Sequence, residues 1–239
     1  MKRVVFIVMF LITLLNSNSL FDAHRSVVLS VDLEKNEATI KKTPDMVVGA
    51  SGVVMHHYDK YYTIIARAII KSIESETATI EIKEFTDLIQ PALAKSNAKV
   101  AMGDEVRINY LYNRAIIISP NFESYYDIVG RYDEIEWIHP DIVAAKLLQN
   151  FDPDPNREIF ENVCIENAVS LLYFAIKDKG YFVDCHSFAI LKSEDIKDYG
   201  NEQLPFYTRV SGIETSWLNW GEHEIQDYNK YYKELLGIK

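Results

Sequence analysis

The chain has 239 residues, of which 48% are hydrophobic, and its formal net charge is −10 at pH 7. A chain of this length and composition can bury a hydrophobic core, which excludes a disordered tail. Nucleic acid and anionic lipid are disfavoured as partners, because the chain is acidic and contains no local cluster of Lys and Arg.

The first predicted element is an export signal over residues 1–19. Lys2 and Arg3 precede an apolar run at 4–15, and small and polar residues follow it. The run is too short to cross a bilayer as a stable span, so we expect cleavage after about Ser19. The mature chain is therefore expected to be exported and to contain no membrane span.

Residues 26–120 are predicted to form a small antiparallel β-barrel or sandwich. Short runs rich in Val, Ile, Thr and Tyr alternate with turn residues, and in TATIEIKEF the side chains of Ala78, Ile80 and Ile82 share one face. Runs of this kind without an intervening long helix are typical of a small barrel or sandwich. The runs are SVVLSVD, EATIKK, SGVVMHHYD, YYTIIARAIIKSI, TATIEIKEF and EVRINYLYNRAIIIS.

Residues 121–199 are predicted to form an α/β module, with its boundary near Pro120. The stretches FESYYDIVGRYD and PDIVAAKLLQ have helical spacing, and a longer helix is predicted from Pro155 to Lys179. The stretch YFVDCHSFAILK is then predicted to be one strand. The apolar residues expected to share a face of the long helix are Ile159, Val163, Val169, Leu172 and Ile176.

Residues 200–239 are predicted to be a C-terminal extension with a strand at FYTRVS, a tryptophan pair at Trp217 and Trp220, and a last helix from about Glu222 to Leu236. An apolar face of that helix is expected to pack against the core of the protein itself. Its members are Ile225, Tyr228, Tyr232 and Leu235. The predicted fold is therefore α+β, with a barrel or sandwich, an α/β module and a C-terminal helix.

Cys164 and Cys185 are a candidate disulfide pair in an exported protein. A helix that runs to Lys179 would place Cys164 ~22 Å from the following turn, whereas Cys185 would lie only ~13 Å along the next strand. A disulfide needs Cα atoms within ~7 Å of each other, so this pair requires a shorter or tilted helix. The pairing is left open.

Several histidines could carry chemistry, and each has a simpler structural interpretation. His56 and His57 are neighbours on a predicted strand and point to opposite faces, so a metal site with Asp59 is not expected. His139 and Asp141 flank Pro140, so Asp141 is expected to stabilise the start of a helix rather than to act in acid–base catalysis.

The stretch DCH at residues 184–186 resembles part of a cysteine hydrolase site. Cys185 and His186 would point to opposite faces of a strand, which disfavours a dyad between them, while Cys164 could meet His186 only through the fold. Structural cysteines are the favoured interpretation. The chain also contains no P-loop, dinucleotide fingerprint, HExxH or GxSxG motif. We therefore expect no catalytic residues, no metal and no cofactor.

Several stretches, taken in order, resemble the N-terminal domain family of the plasminogen-binding proteins of Helicobacter, Campylobacter and their relatives. The resemblance covers about residues 26–195. The stretches that carry it are VGASGVVMHHYD, ARAIIKSI, GDEVRINYLYNRAIIISPN, WIHPDIVAAKL and YFVDCHSFAIL.

The resemblance implies an exported, non-enzymatic protein of the cell envelope, in the periplasm or on the surface of a Gram-negative bacterium. It also implies capture of host plasminogen through a C-terminal lysine. A lysine-binding kringle recognises an ammonium group, a carboxylate and the aliphatic stem between them, and Lys239 carries all three. Gly237 would let the last residues leave the helix. Lys239 is therefore the candidate kringle ligand.

Two alternatives belong to other functional classes. The protein could be a periplasmic scaffold of an envelope machine, with the flagellar motor as the candidate, since two small modules and an acidic surface suit such a role. A cysteine-dependent hydrolase using Cys164 or Cys185 is the less favoured alternative, because no catalytic motif accompanies the cysteines.

Overall fold

The computed structural model describes residues 22–87, 96–150, 154–211 and 225–239. They form an antiparallel barrel, a mixed sheet and helices, of which one is C-terminal, and this confirms the predicted α+β fold. The predicted export signal and the tryptophans Trp217 and Trp220 lie outside the described residues. Within the described ranges, no helix combines the length and the apolar character needed to cross a membrane.

Six strands form the barrel: β1 (His24–Asp32), β2 (Glu37–Lys41), β3 (Ser51–Tyr58), β4 (Tyr61–Ile73), β5 (Thr77–Lys83) and β6 (Glu105–Ile108). Their spatial order is β1-β2-β5-β4-β3-β6, and β6 closes the barrel by pairing with both β1 and β3. The predicted alternation is present in β5, where Ala78 and Ile80 are buried and Thr77 and Thr79 are half-buried. Closure gives the edge strands a partner on each side.

The second part is a mixed sheet with its helices: β7 (Arg114–Ile118), α1 (Phe122–Val129), β8 (Glu136–Ile138), α2 (Asp141–Asn150), α3 (Arg157–Asn167), β9 (Leu171–Ile176), β10 (Lys179–Asp184), β11 (Ile190–Asp195) and α4 (Tyr228–Leu235). The strand order is β11-β10-β9-β7-β8. β7 is parallel to β8 and β9, whereas β10 is antiparallel to β9 and β11.

Both faces of the mixed sheet are covered. Alternate residues of β7 point in opposite directions: Ala115 and Ile117 belong to a hydrophobic cluster that continues into the barrel, while Ile116 and Ile118 belong to a second cluster. The second cluster includes residues of α2, α3 and α4. The sheet is therefore the middle layer between the barrel and these helices.

Residues 105–119 were predicted as one strand of the β region, but the structure divides them between β6 and β7. Asn109 and Leu111 have positive φ angles of 59° and 62°, and the amide of Tyr112 donates to the carbonyl of Asn109 at 3.2 Å. This turn ends the barrel. β7 therefore belongs to the mixed sheet and not to the β region in which it was predicted.

The long helix predicted from Pro155 to Lys179 is wrong. α3 ends at Asn167, Ala168 has a left-handed backbone with φ of 51°, and the chain continues as β9. Every residue of β9, LLYFAI, is buried. A short apolar run that is buried on both faces is typical of a central strand, and periodicity alone does not distinguish it from a buried helix.

Two smaller predictions also need correction. The stretch YFVDCHSFAILK is the hairpin of β10 and β11 rather than one strand, with a turn in which Phe188 has φ of 60°. FYTRVS is irregular instead of a strand, and the helix predicted from Glu222 begins at Tyr228. The expected packing of this helix against the core is confirmed, because Tyr228 and Tyr232 are buried.

Candidate functional site

The predicted ligand, Lys239, follows the capped end of α4 and is exposed. The amide of Gly237 donates to the carbonyl of Glu234 at 3.0 Å, and the amide of Ile238 donates to the carbonyl of Lys233 at 2.8 Å. Gly237 has φ of 68°, as this pattern of paired hydrogen bonds at a helix end requires. The backbone that leads to Lys239 is thus hydrogen-bonded to α4 rather than frayed.

Two tyrosines anchor α4, one to the sheet and one to the irregular segment that precedes the helix. The Tyr228 hydroxyl lies 3.1 Å from the carbonyl oxygen of Ile118 and 2.9 Å from that of Ala175, and the Tyr232 hydroxyl donates to the carbonyl of Pro205 at 3.0 Å. Burial raises the pKa of both phenols well above the usual range. Both side chains therefore remain neutral hydrogen-bond donors.

The position of Tyr228 has a bearing on ligand binding. The chain leaves β7 towards β8 and leaves β9 towards β10, so the carboxyl ends of β7 and β9 form a topological switch point. Open α/β sheets commonly bind small ligands in the crevice at such a point. Here the side chain of Tyr228 occupies it, because its hydroxyl contacts a backbone carbonyl near the carboxyl end of each strand.

The outer side of α4 lines an open polar groove. Its lining carries both signs of charge, with three lysines and three carboxylates. Two of the carboxylates have partners within the protein: Asp227 accepts from the backbone amide of Lys230 at 2.8 Å, and Glu202 accepts from the side-chain amide of Asn229. The lining residues are Lys177, Glu202, Gln226, Asp227, Asn229, Lys230, Lys233, Glu234 and Ile238.

Cys164 and Cys185 form a disulfide, with a Cα–Cα distance of 6.3 Å. A helix reaching Lys179 would have kept these two cysteines apart. Because α3 ends at Asn167, Cys164 lies close to the end of β10, where Cys185 begins the turn. Within the described part of the chain there is no free cysteine, so neither sulfur is available as a thiolate in this form.

His186 does not contact a cysteine thiol but lies in a buried polar cluster. Arg67 and Asp87 form a buried ion pair, and the Nε2 atom of His186 lies 4.0 Å from Asp87 Oδ2. Burial, together with repulsion from Arg67, lowers the pKa of His186 to about 4. The imidazole is therefore neutral at neutral pH.

The buried carboxylate of Asp184 is the centre of a second cluster. Its Oδ1 accepts from the amides of His186 at 2.9 Å and Ser187 at 2.7 Å. Its Oδ2 accepts from the Tyr112 hydroxyl at 2.6 Å and from the amide of Ser51 at 3.1 Å. The DCH stretch thus has a structural role in this geometry. The carboxylate of Asp184 joins β10 to the barrel, and the disulfide of Cys185 joins the turn after β10 to α3.

His56 and His57 have different partners, as the strand alternation predicts. His56 Nδ1 lies 2.7 Å from Asp104 Oδ1, and His57 Nε2 lies 3.3 Å from Glu105 Oε2. Asp59 lies in the turn that follows β3, with φ of 44°. Across the described ranges, no group of three His, Cys, Asp or Glu residues is placed to hold a metal ion.

Asp141 begins α2 and also binds an irregular segment of the C-terminal extension. Its carboxylate accepts from the Thr208 hydroxyl at 2.7 Å and from the Arg209 amide at 2.9 Å, and His139 Nδ1 lies 3.0 Å from it. Burial opposes ionisation, but the hydrogen bonds from Arg209 and Thr208 outweigh it and hold the pKa of Asp141 below its usual value. Burial lowers the pKa of His139, because it disfavours the charged imidazolium.

Two features of the site were not predicted from the sequence. The first is the ion pair of Arg67 and Asp87, which are 20 residues apart. Arg67 stands alone inside the apolar run IIARAII, and a lone charge in such a run indicates a buried residue that needs a partner. The second is the position of Tyr228 at the switch point, for which the sequence contains no local signal.

Comparisons with known proteins cover most of the chain. The family model described as plasminogen-binding protein pgbA N-terminal matches residues 24–236. The chain is 26% identical over 196 residues to a protein named plasminogen-binding protein PgbA in each of two strains of Helicobacter pylori. The match covers 80% of this chain and 43% of each relative, so the chain spans less than half the length of these relatives. No solved structure matches it.

Proposed function

Because the chain belongs to the plasminogen-binding protein pgbA N-terminal family, we propose that it is a non-catalytic protein of the cell envelope that binds plasminogen. The family match is the observation that carries this proposal. It confirms the resemblance predicted from the sequence and extends it from the first strand of the barrel to α4.

Lys239 is the proposed ligand in a chain that ends at this residue. A terminal lysine presents an ammonium group and a carboxylate joined by an aliphatic stem, which a lysine-binding kringle can recognise together. The exposure of Lys239 and the hydrogen bonds of Gly237 and Ile238 to α4 support this role, because they present the residue at a fixed site on the surface.

We further propose that the protein is exported to the periplasm or the surface of a Gram-negative bacterium. The disulfide between Cys164 and Cys185 supports export, because disulfides persist in oxidising compartments and are rare in the cytosol. Cell fractionation tests the location. Recovery of the mature chain in the cytosol with both thiols free would contradict it.

Binding to immobilised plasminogen tests the main proposal. We expect the chain to bind, a lysine analogue such as ε-aminocaproate to compete, and deletion of Lys239 to weaken binding. Lys71→Ala is the matched control, because Lys71 is an exposed lysine on the barrel, where it pairs with Glu37. No binding by the unaltered chain, or binding that the analogue does not reduce, would contradict the proposal.

A scaffold in the periplasm, with the flagellar motor as the candidate machine, is the second proposal. It is supported by the hydrophobic cluster that the barrel and the mixed sheet share, because a shared cluster holds the two parts in one arrangement. Co-purification with motor components and loss of motility on deletion of the gene are the expected results. Normal motility would contradict it.

A further inference from the structure

The exposed face of α4 carries a pair of opposite charges that the protein itself does not use. Lys230 and Glu234 are both exposed, and within the described ranges neither side chain forms an ion pair. Both residues line the polar groove. The opposite face of the helix is buried through Tyr228 and Tyr232, so the orientation of the helix leaves this pair in solvent.

The two charges oppose the dipole of their own helix. Lys230 lies in the first turn of α4, near its positive end, and Glu234 lies in the last turn, near its negative end. A lysine four residues before a glutamate is also the weaker order for an ion pair within a helix. Helix stability therefore does not account for this placement, and both groups are available to a partner.

The pair carries the same chemical groups as a lysine ligand. Residues four apart on a helix lie on one face, with Cβ atoms about 5–6 Å apart. The pair thus presents an ammonium group on an aliphatic stem with a carboxylate beside it. A free terminal lysine presents the same groups across its own four-carbon stem.

We propose that Lys230 and Glu234 form an internal mimic of a terminal lysine, which binds a lysine-binding kringle of plasminogen independently of Lys239. This inference rests on the proposed function. It places the contact on α4, a helix anchored by Tyr228 and Tyr232, and it does not require that Lys239 be the last residue of the protein. Lys230 supplies the ammonium group and Glu234 the carboxylate.

The test uses the chain from which Lys239 has been deleted, with immobilised plasminogen as the probe. We expect this chain to retain binding that ε-aminocaproate competes away. Lys230→Ala and Glu234→Gln, each in the same background, should weaken the affinity at least tenfold. Lys71→Ala removes one exposed lysine from the barrel and should leave the affinity unchanged. Far-UV circular dichroism checks that α4 remains folded, which the high helix propensity of Ala favours.

The outcomes separate the two proposals. Loss of all binding on deletion of Lys239, or equal affinity of the Lys230→Ala chain and its parent, would overturn the internal mimic and leave the proposed function intact. Failure of the unaltered chain to bind plasminogen would overturn both.

Discussion

The hydroxyl of Tyr112 donates a hydrogen bond of 2.6 Å to Asp184 Oδ2 in the buried contact between the barrel and the mixed sheet. Tyr112 lies in the turn between the two parts, and Asp184 ends β10. The same carboxylate oxygen accepts from the amide of Ser51 in the barrel. One buried side chain therefore joins the sheet to both the turn and the barrel.

Asp184→Asn should destabilise the protein by about 3 kcal/mol. Asn has the same shape, but both carboxylate oxygens accept hydrogen bonds, so the new NH₂ group must face donors and leave them unsatisfied. Urea unfolding followed by circular dichroism measures the change. Asp195→Asn is the control, because Asp195 is an exposed partner of Lys179. Equal stability of the two variants would contradict the structural role of Asp184.

Loss of the disulfide should lower the free energy of unfolding by about 3 kcal/mol. The bond joins residues separated by 21 positions, and closing a loop of this length restricts the unfolded chain by about that amount. Urea unfolding with and without dithiothreitol measures the effect. The double variant Cys164→Ala, Cys185→Ala should not respond to the reductant. An equal response in both chains would show that the reductant acts elsewhere.

Stability should fall as the pH is lowered from about 6.5 towards about 4, in part because of His186. Its pKa is lowered to about 4 in the folded protein from an ordinary value of 6.5, so the unfolded chain takes up the proton first and acid favours unfolding. The contribution is fully present above pH 6.5 and is lost by pH 4. The shift corresponds to roughly 3 kcal/mol.

The His186→Gln variant isolates this contribution. Carboxylates far from residue 186 titrate alike in both chains, so the unfolding free energy of the wild type minus that of the variant should fall as the pH is lowered from about 6.5 to about 4. Urea unfolding at closely spaced pH values measures that difference. Parallel curves for the two chains would refute the assignment.

Tyr228→Phe should lower the free energy of unfolding by about 1–2 kcal/mol, because it removes the buried hydroxyl donor that the carbonyl groups of Ile118 and Ala175 share. Thermal and urea unfolding measure the loss. Tyr61→Phe is the matched control. Tyr61 is 77% exposed, so its hydroxyl is hydrated in the folded and the unfolded chain and its loss should leave stability unchanged. The structural role of the Tyr228 hydroxyl would be excluded if both variants unfolded at the same urea concentration.

Most of the fold could be predicted from local patterns. Alternation in stretches such as TATIEIKEF identified the barrel strands, because one face of each is buried. The pattern failed where both faces are buried. Leu172 and Ile176 fit a helical face as well as a strand, and only pairing with β7 and β10 decides between the two.

The site was less predictable because its contacts join distant parts of the chain. Tyr112 and Asp184 are 72 residues apart, and the Tyr228 hydroxyl reaches Ile118 across 110 residues. No spacing rule links such residues. The opposed directions of His56 and His57, by contrast, followed from strand geometry alone, and their different partners agree with it.

The hydrophobic cluster shared by the barrel and the mixed sheet fixes the distance between the two parts. Val54 and Ile70 of the barrel belong to the same cluster as Ile117 and Tyr173 of the sheet. Separating the two parts would expose these side chains to water, so we expect them to unfold together in a single transition. The β3–β4 hairpin and α4 are then held at a set spacing, and a partner that contacts both must match it.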